Sequence, residues 1–225
     1  MNRSVFPDMD SLSGAAAWRL RDLAETAISR SGRFHLTLAG GSTPLSLYRH
    51  LASDDRFSRL DWTAVHLYWG DERCVPPDHE QSNFRAAQRT LIDHIPIPEG
   101  NVHRMPGELD PEQGALAYEQ LLYRQFRWKT PVFDLVLLGM GADGHTASLF
   151  PGDESLEERK RWVIAVDHQG PPPPMVSRLT LTLPLLNVAR SVIFLVAGQD
   201  KAQAVHRVQQ GEDLPAGMVS PVSSD

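Results

Sequence analysis

An aspartate and a histidine two residues apart, Asp143 and His145, share the glycine-rich turn Gly139-Met140-Gly141-Ala142-Asp143-Gly144-His145-Thr146. An imidazole can take a proton from water near neutral pH, and an adjacent acid can orient the ring or hold its proton. The turn follows Val132-Phe133-Asp134-Leu135-Val136-Leu137-Leu138, a run suited to a buried parallel strand. Ligands of open α/β sheets bind just beyond the carboxyl ends of such strands, so the turn is expected to face a site. Gly139, Gly141 and Gly144 also fit the dinucleotide fingerprint, with Asp167 near the place of its ribose-binding acid. A nucleotide is nevertheless not expected. Pro151-Gly152 stops the chain seven residues after Gly144, leaving about two turns where that fold opens a long helix.

Three more groups each follow or enter a predicted strand. In Leu38-Ala39-Gly40-Gly41-Ser42-Thr43-Pro44, two glycines permit close backbone approach and two hydroxyls add donors. Backbone N–H groups and the positive end of the next helix could hold a phosphate there without a lysine. The bland alternative is an ordinary strand-to-helix turn with Ser42 or Thr43 as N-cap. Trp69-Gly70-Asp71-Glu72-Arg73 offers an acid or base in Asp71 and a planar anion clamp in Arg73; its alternative is a solvated charge run. Arg178, entering a strand, and Lys201, opening the last helix, are further cations for an anion. The other histidines show no two-histidine helical spacing, and a single cysteine, Cys74, cannot build a zinc cluster. No metal site is expected. Neither a Gly-x-Ser-x-Gly elbow nor a lysine-bearing NTPase loop is present.

The elements that must position these turns alternate. The pattern predicts a helix after Ser11 or Ser13 as N-cap, running to Gly32, then a strand at Phe34 to Ala39 and a helix at Pro44 to Leu51. A strand at Ala64 to Trp69 and helices at Ser82 to Asp93 and Glu112 to Phe126 follow. Strands are predicted at Val132 to Leu138, Trp162 to Val166, Leu179 to Leu183 and Val192 to Ala197, with a final helix through Gln209. Such alternation implies an α/β fold with a mostly parallel sheet and helices on both faces. The proline tract Gly170 to Pro174 has strand-like segments on both sides and no composition shift, so it reads as a loop within one domain spanning 1–225.

The chain has 225 residues, 41% of them hydrophobic, and a formal net charge of -6. That balance argues against non-specific binding to nucleic acid or anionic membranes, and no apolar stretch reaches the roughly 18 residues of a membrane span. With no signal-like N-terminus and no possible internal disulfide, a cytoplasmic location is expected.

Taken together, LAGGSTP, YWGDERCVPPDHEQSNF, DLVLLGMGADGHTASLFPG and RLTLTLPLLNVAR resemble the 6-phosphogluconolactonase family, in the family's order from about Phe34 to Lys201. The related glucosamine-6-phosphate isomerases share the GGSTP and DGH turns, but WGDER followed by SNF, with GHTASLFPG, resembles the lactonases. The resemblance implies a modified Rossmann-like α/β fold and hydrolysis of a phosphorylated sugar lactone; no cofactor is expected, since a lactone is already electrophilic, and a monomer is expected. It places His145, Asp143 and Asp71 at the chemistry. It assigns Gly41, Ser42, Thr43, Arg73, Arg178 and Lys201 to substrate; Gly40, Gly141 and Gly144 are expected to join them, with N–H groups around Gly141 and Gly144 meeting the developing oxyanion. An aldose–ketose isomerase and a non-catalytic sugar-phosphate sensor are the alternatives. The resemblance weakens at the C-terminus, where the family continues into a further strand with a tryptophan. This sequence reads Leu214 to Asp225, so its last element is expected to be shortened, bearing on stability and the sheet edge more than on catalysis.

Overall fold

The computed structural model describes residues 2–57, 60–170 and 172–221; the last residues of the predicted single domain, 222–225, lie outside these. Seven strands and seven α-helices are described: α1 (Met9–Ser31), β1 (Phe34–Leu38), α2 (Ser42–Ser53), β2 (Val65–Trp69), β3 (Asp71–Arg73), α3 (Asn83–Thr90), α4 (Pro111–Gln125), β4 (Leu135–Leu138), β5 (Val163–Val166), β6 (Arg178–Leu181), α5 (Leu183–Asn187), β7 (Val192–Phe194), α6 (Ala202–Gln209) and α7 (Pro215–Met218).

Local chemistry sets the ends. The cap of α1 is Asp8, whose carboxylate accepts from the Ser11 N–H at 2.8 Å, and not Ser11 or Ser13 as expected. An ionised acid at the positive end of a helix outcompetes a hydroxyl further along, and Ser13 is buried inside the helix instead. Gly32, at φ 72°, closes α1 where predicted. Asp110 caps α4, with Pro111 in its first turn.

The α/β fold is as expected. A parallel sheet, in the order β2-β1-β4-β7, is flanked by helices, and its inner strand β4 is buried along its whole length. The register sets Leu38 beside Trp69 and Leu138 beside Phe194, so the carboxyl ends of four strands share one rim. The strands expected at Trp162 to Val166 and Leu179 to Leu183 do not join this sheet. They form β5 and β6 of an antiparallel sheet in the order β3-β6-β5. Parallel pairing needs a crossover of a dozen or more residues, usually a helix, and the proline-rich segment between β5 and β6 supplies no helix. The predicted Leu179 to Leu183 strand also stops at Leu181, because Leu183 and Pro184 open α5.

Gly70 joins the two sheets. Its N–H donates to the Leu38 carbonyl at 2.9 Å and its carbonyl accepts from the Leu181 N–H at 2.9 Å. Trp69 therefore ends one sheet and Asp71 begins the other, at the rim where the parallel strands finish.

Candidate active site

The four turns singled out in the sequence converge on one cavity of about 330 Å³ at this rim. Gly40, Gly41, Ser42 and Thr43 after β1, Asp71 and Arg73 of β3, Gly141 and His145 after β4, Arg178 of β6 and Lys201 after β7 all line it. Asp143 and Gly144 stand outside that lining. A larger hollow of about 570 Å³ between Gly152–Arg159 and Leu183–Asn187 contains none of these residues, so volume alone would mislead.

Asp143 Oδ1 lies 2.6 Å from His145 Nδ1 and also accepts the His145 backbone N–H at 3.1 Å. Partial burial pulls the Asp143 carboxyl upward, but the His145 N–H, charge and ring together hold it below its usual value. An ionised Asp143 demands a proton on Nδ1, which leaves the Nε2 lone pair of a neutral imidazole free to act as a base. Glycine is required beside this pair, because a Cβ at Gly141 would collide with both His145 Nδ1 and Asp143 Oδ1. Gly144 adopts φ +90°, where a Cβ would also come within 2.8 Å of Leu214 Cδ1. The two glycines' own N–H groups, expected with their neighbours to meet an oxyanion, are used within the turn. The Gly141 N–H is spent on the His145 carbonyl at 2.9 Å and the Gly144 N–H on the Gly141 carbonyl at 3.0 Å; closing so tight a turn consumes both.

Asp71 is buried, not part of a solvated run. Its Oδ2 accepts from Ser148 Oγ at 2.8 Å and its Oδ1 from Asn83 Nδ2 at 3.3 Å. The adjacent Glu72 turns the other way and accepts the N–H groups of Asn83 and Phe84 at 2.7 and 2.8 Å, holding the start of α3. Arg73 and Arg178 stand directly opposite each other across β3 and β6. Like charges so paired repel, and burial followed by the Arg73 charge lowers the Arg178 pKa. Arg178 offsets this by donating to the Val176 and Pro174 carbonyls at 3.0 and 2.6 Å. Arg73 Nη1 donates to the Gln81 carbonyl at 2.7 Å, while its buried Nε has no partner. Two guanidiniums thus line one cavity.

The start of α2 borders the same cavity. Its N-cap is Gly41, at φ 93°, with no side-chain capping bond. Neither Ser42 nor Thr43 caps the helix as the bland reading required, since both lie inside its first turn, where unspent N–H groups face the cavity. Lys201, half-buried and paired with Asp200 at 3.0 Å, closes the opposite side. Among the described residues, no group of three or more His, Cys, Asp or Glu could hold a metal ion, and no helix is long and apolar enough to cross a membrane.

A family model described as glucosamine-6-phosphate isomerases/6-phosphogluconolactonase matches residues 7–225. The chain belongs to this family. Among family members, the 6-phosphogluconolactonase of Mycobacterium leprae is 42% identical over 214 residues, which cover 92% of this chain and 85% of that protein. That of a Nostoc species is 40% identical, covering 96% and 90%. Among solved structures, the 6-phosphogluconolactonase of Thermotoga maritima superposes with a TM-score of 0.82 at 35% identity, covering 93% of this chain and 91% of that one. The Trypanosoma cruzi enzyme gives 0.85 at 30%, covering 95% and 88%.

The structure adds residues to this family site that the sequence reading passed over. Ser148 and Asn83 hold Asp71, and their signal was only polarity in a segment later buried. Phe150 packs on the His145 ring with centroids 4.8 Å apart and stacks on His168 at 4.2 Å. His168 Nε2 in turn bonds the Pro172 carbonyl at 2.7 Å, which anchors Pro172 and Pro173 as a wall of the cavity. The proline tract read as a plain loop thus borders the site.

Proposed function

We propose that the protein hydrolyses 6-phospho-D-glucono-1,5-lactone to 6-phosphogluconate, a step of the pentose phosphate pathway. The observation that carries the reading is the Asp143–His145 pair, whose histidine lines the same cavity as Arg73, Arg178, Lys201 and the start of α2. The names of the relatives support the same reaction. His145 Nε2 takes a proton from water as the water oxygen attacks the lactone carbonyl carbon. It then returns that proton to the ring oxygen as the C–O bond breaks, giving a free acid and a hydroxyl. With the Gly141 and Gly144 N–H groups committed, Arg73 and Arg178 are the donors available to the carbonyl oxygen as charge develops on it. The α2 N-terminus with Ser42 and Thr43, together with Lys201, holds the phosphate, and Asp71 accepts sugar hydroxyls. No cofactor enters, because a lactone is already electrophilic.

The test is His145→Ala assayed with freshly made lactone. A positioned general base contributes about 10²- to 10⁴-fold, so kcat should fall by that factor while the melting temperature barely moves. A folded variant with the wild-type kcat would remove His145 from the reaction.

A further inference from the structure

Three loops of the site meet at one carboxylate. Ser148 reaches Asp71 from the histidine loop, and its backbone N–H donates to Thr180 Oγ1 of β6 at 3.2 Å. Ser148 is fully buried, so its hydroxyl has no water to turn to. The chain bends to deliver it: Thr146 and Leu149 bond each other in both directions at 3.3 and 2.9 Å, and Ala147 between them adopts φ +49°, a region that non-glycine residues rarely occupy. Such strain persists where the surroundings over-determine it. From the other side, Asn83 donates to the Asp71 carbonyl at 2.9 Å and to its carboxylate. Its amide fills the space where a Cβ of Gly40 would stand, which ties the phosphate turn to the same point.

We infer that Ser148 is a positioning residue: its hydroxyl fixes the Asp71 carboxylate relative to His145, so that sugar hydroxyls bound by Asp71 set the lactone carbonyl against the His145 base. This rests on the lactonase reading and deepens it. With one oxygen of Asp71 taken by Ser148 and the other by Asn83, the carboxylate cannot rotate freely. Asp71 lines the cavity, and its remaining lone pairs keep fixed directions, which is what a hydroxyl-selective acceptor requires.

A double-mutant cycle on lactone hydrolysis tests this, using Ser148→Ala, Asp71→Ala and the pair, with melting temperatures alongside. We expect Ser148→Ala to lower kcat/KM about 10- to 100-fold in the native background and by less than about 2-fold when Asp71 is already Ala. Should Ser148→Ala fold poorly, Ser148→Cys, of similar size and a weaker donor, serves in the same cycle with the same expectation. Equal losses in both backgrounds, or a folded Ser148 variant with native kcat/KM, would overturn the inference and leave the lactonase reading intact. A native enzyme that does not accelerate lactone hydrolysis would overturn both.

Discussion

At the residue scale, the groups proposed to do chemistry were legible because their types are few and their turns follow strands. Asp143, His145, Asp71, Arg73, Arg178 and Lys201 were each visible as a charged or imidazole side chain after or at a strand, and all but Asp143 line one cavity. What the sequence could not show was which hydrogen bonds the turn would consume internally. Of the glycines expected to donate to substrate, Gly141 instead makes room for the Asp143–His145 pair and Gly144 for Leu214. Gly141→Ala should therefore displace the imidazole or its acid by a few tenths of an ångström or more. Misplacement on the order of 1 Å can cost 10²-fold, so kcat/KM is expected to fall by about that factor, with the fold kept. A Gly141→Ala enzyme with native kcat/KM would show that the pair need not be held where the structure holds it.

At the element scale, the strands and helices followed the hydrophobic pattern, but their pairing depended on connections that periodicity does not describe. The strand preceding Asp167 and the strand opening at Arg178 have the apolar look of parallel strands. Only the helix-free proline segment between them settles the antiparallel arrangement. The segment before and within α7 was expected to matter little to catalysis, yet it buttresses the histidine turn. The Ala216 N–H donates to the Gly144 carbonyl at 3.1 Å, and the buried Leu214 packs where a Gly144 side chain would be. Leu214→Ala should cost about 2 to 5 kcal/mol of stability through lost burial and a residual cavity. It should also lower kcat at temperatures where the variant is fully folded, because the turn loses its support. Denaturant melts paired with initial rates check both; a destabilised variant with native kcat would separate α7 from the site.

At the scale of the whole molecule, the α/β class was legible from alternation alone, whereas the second sheet and the junction at Gly70 were not. Nor was the cluster of His35, His66 and His103, scattered in sequence but packed together with Tyr68 at ring distances of 4.6 to 5.5 Å along neighbouring contacts. Burial, then the neighbouring charges, lowers His35 to about 3, and burial and His66 lower His103 to about 4. These rings stay neutral in the fold and protonate near 6.5 once unfolded. The unfolded chain therefore binds more protons as pH falls below about 6.5, and the stability these groups contribute is full above that pH and lost towards 4 and 3. Between pH 7 and 5 most carboxylates remain ionised, so the urea midpoint should drop over that window by the equivalent of a few kcal/mol; a flat midpoint would contradict the burial of neutral histidines. Lactonases and isomerases share this family, so the reaction itself separates them. Freshly prepared 6-phosphogluconolactone and glucosamine-6-phosphate offered to the same enzyme decide it most directly. 6-Phosphogluconate should form faster than in buffer, in proportion to enzyme, with no ammonia from the amino sugar. Ammonia released in proportion to enzyme, with lactone consumed no faster than in buffer, would contradict the lactonase reading.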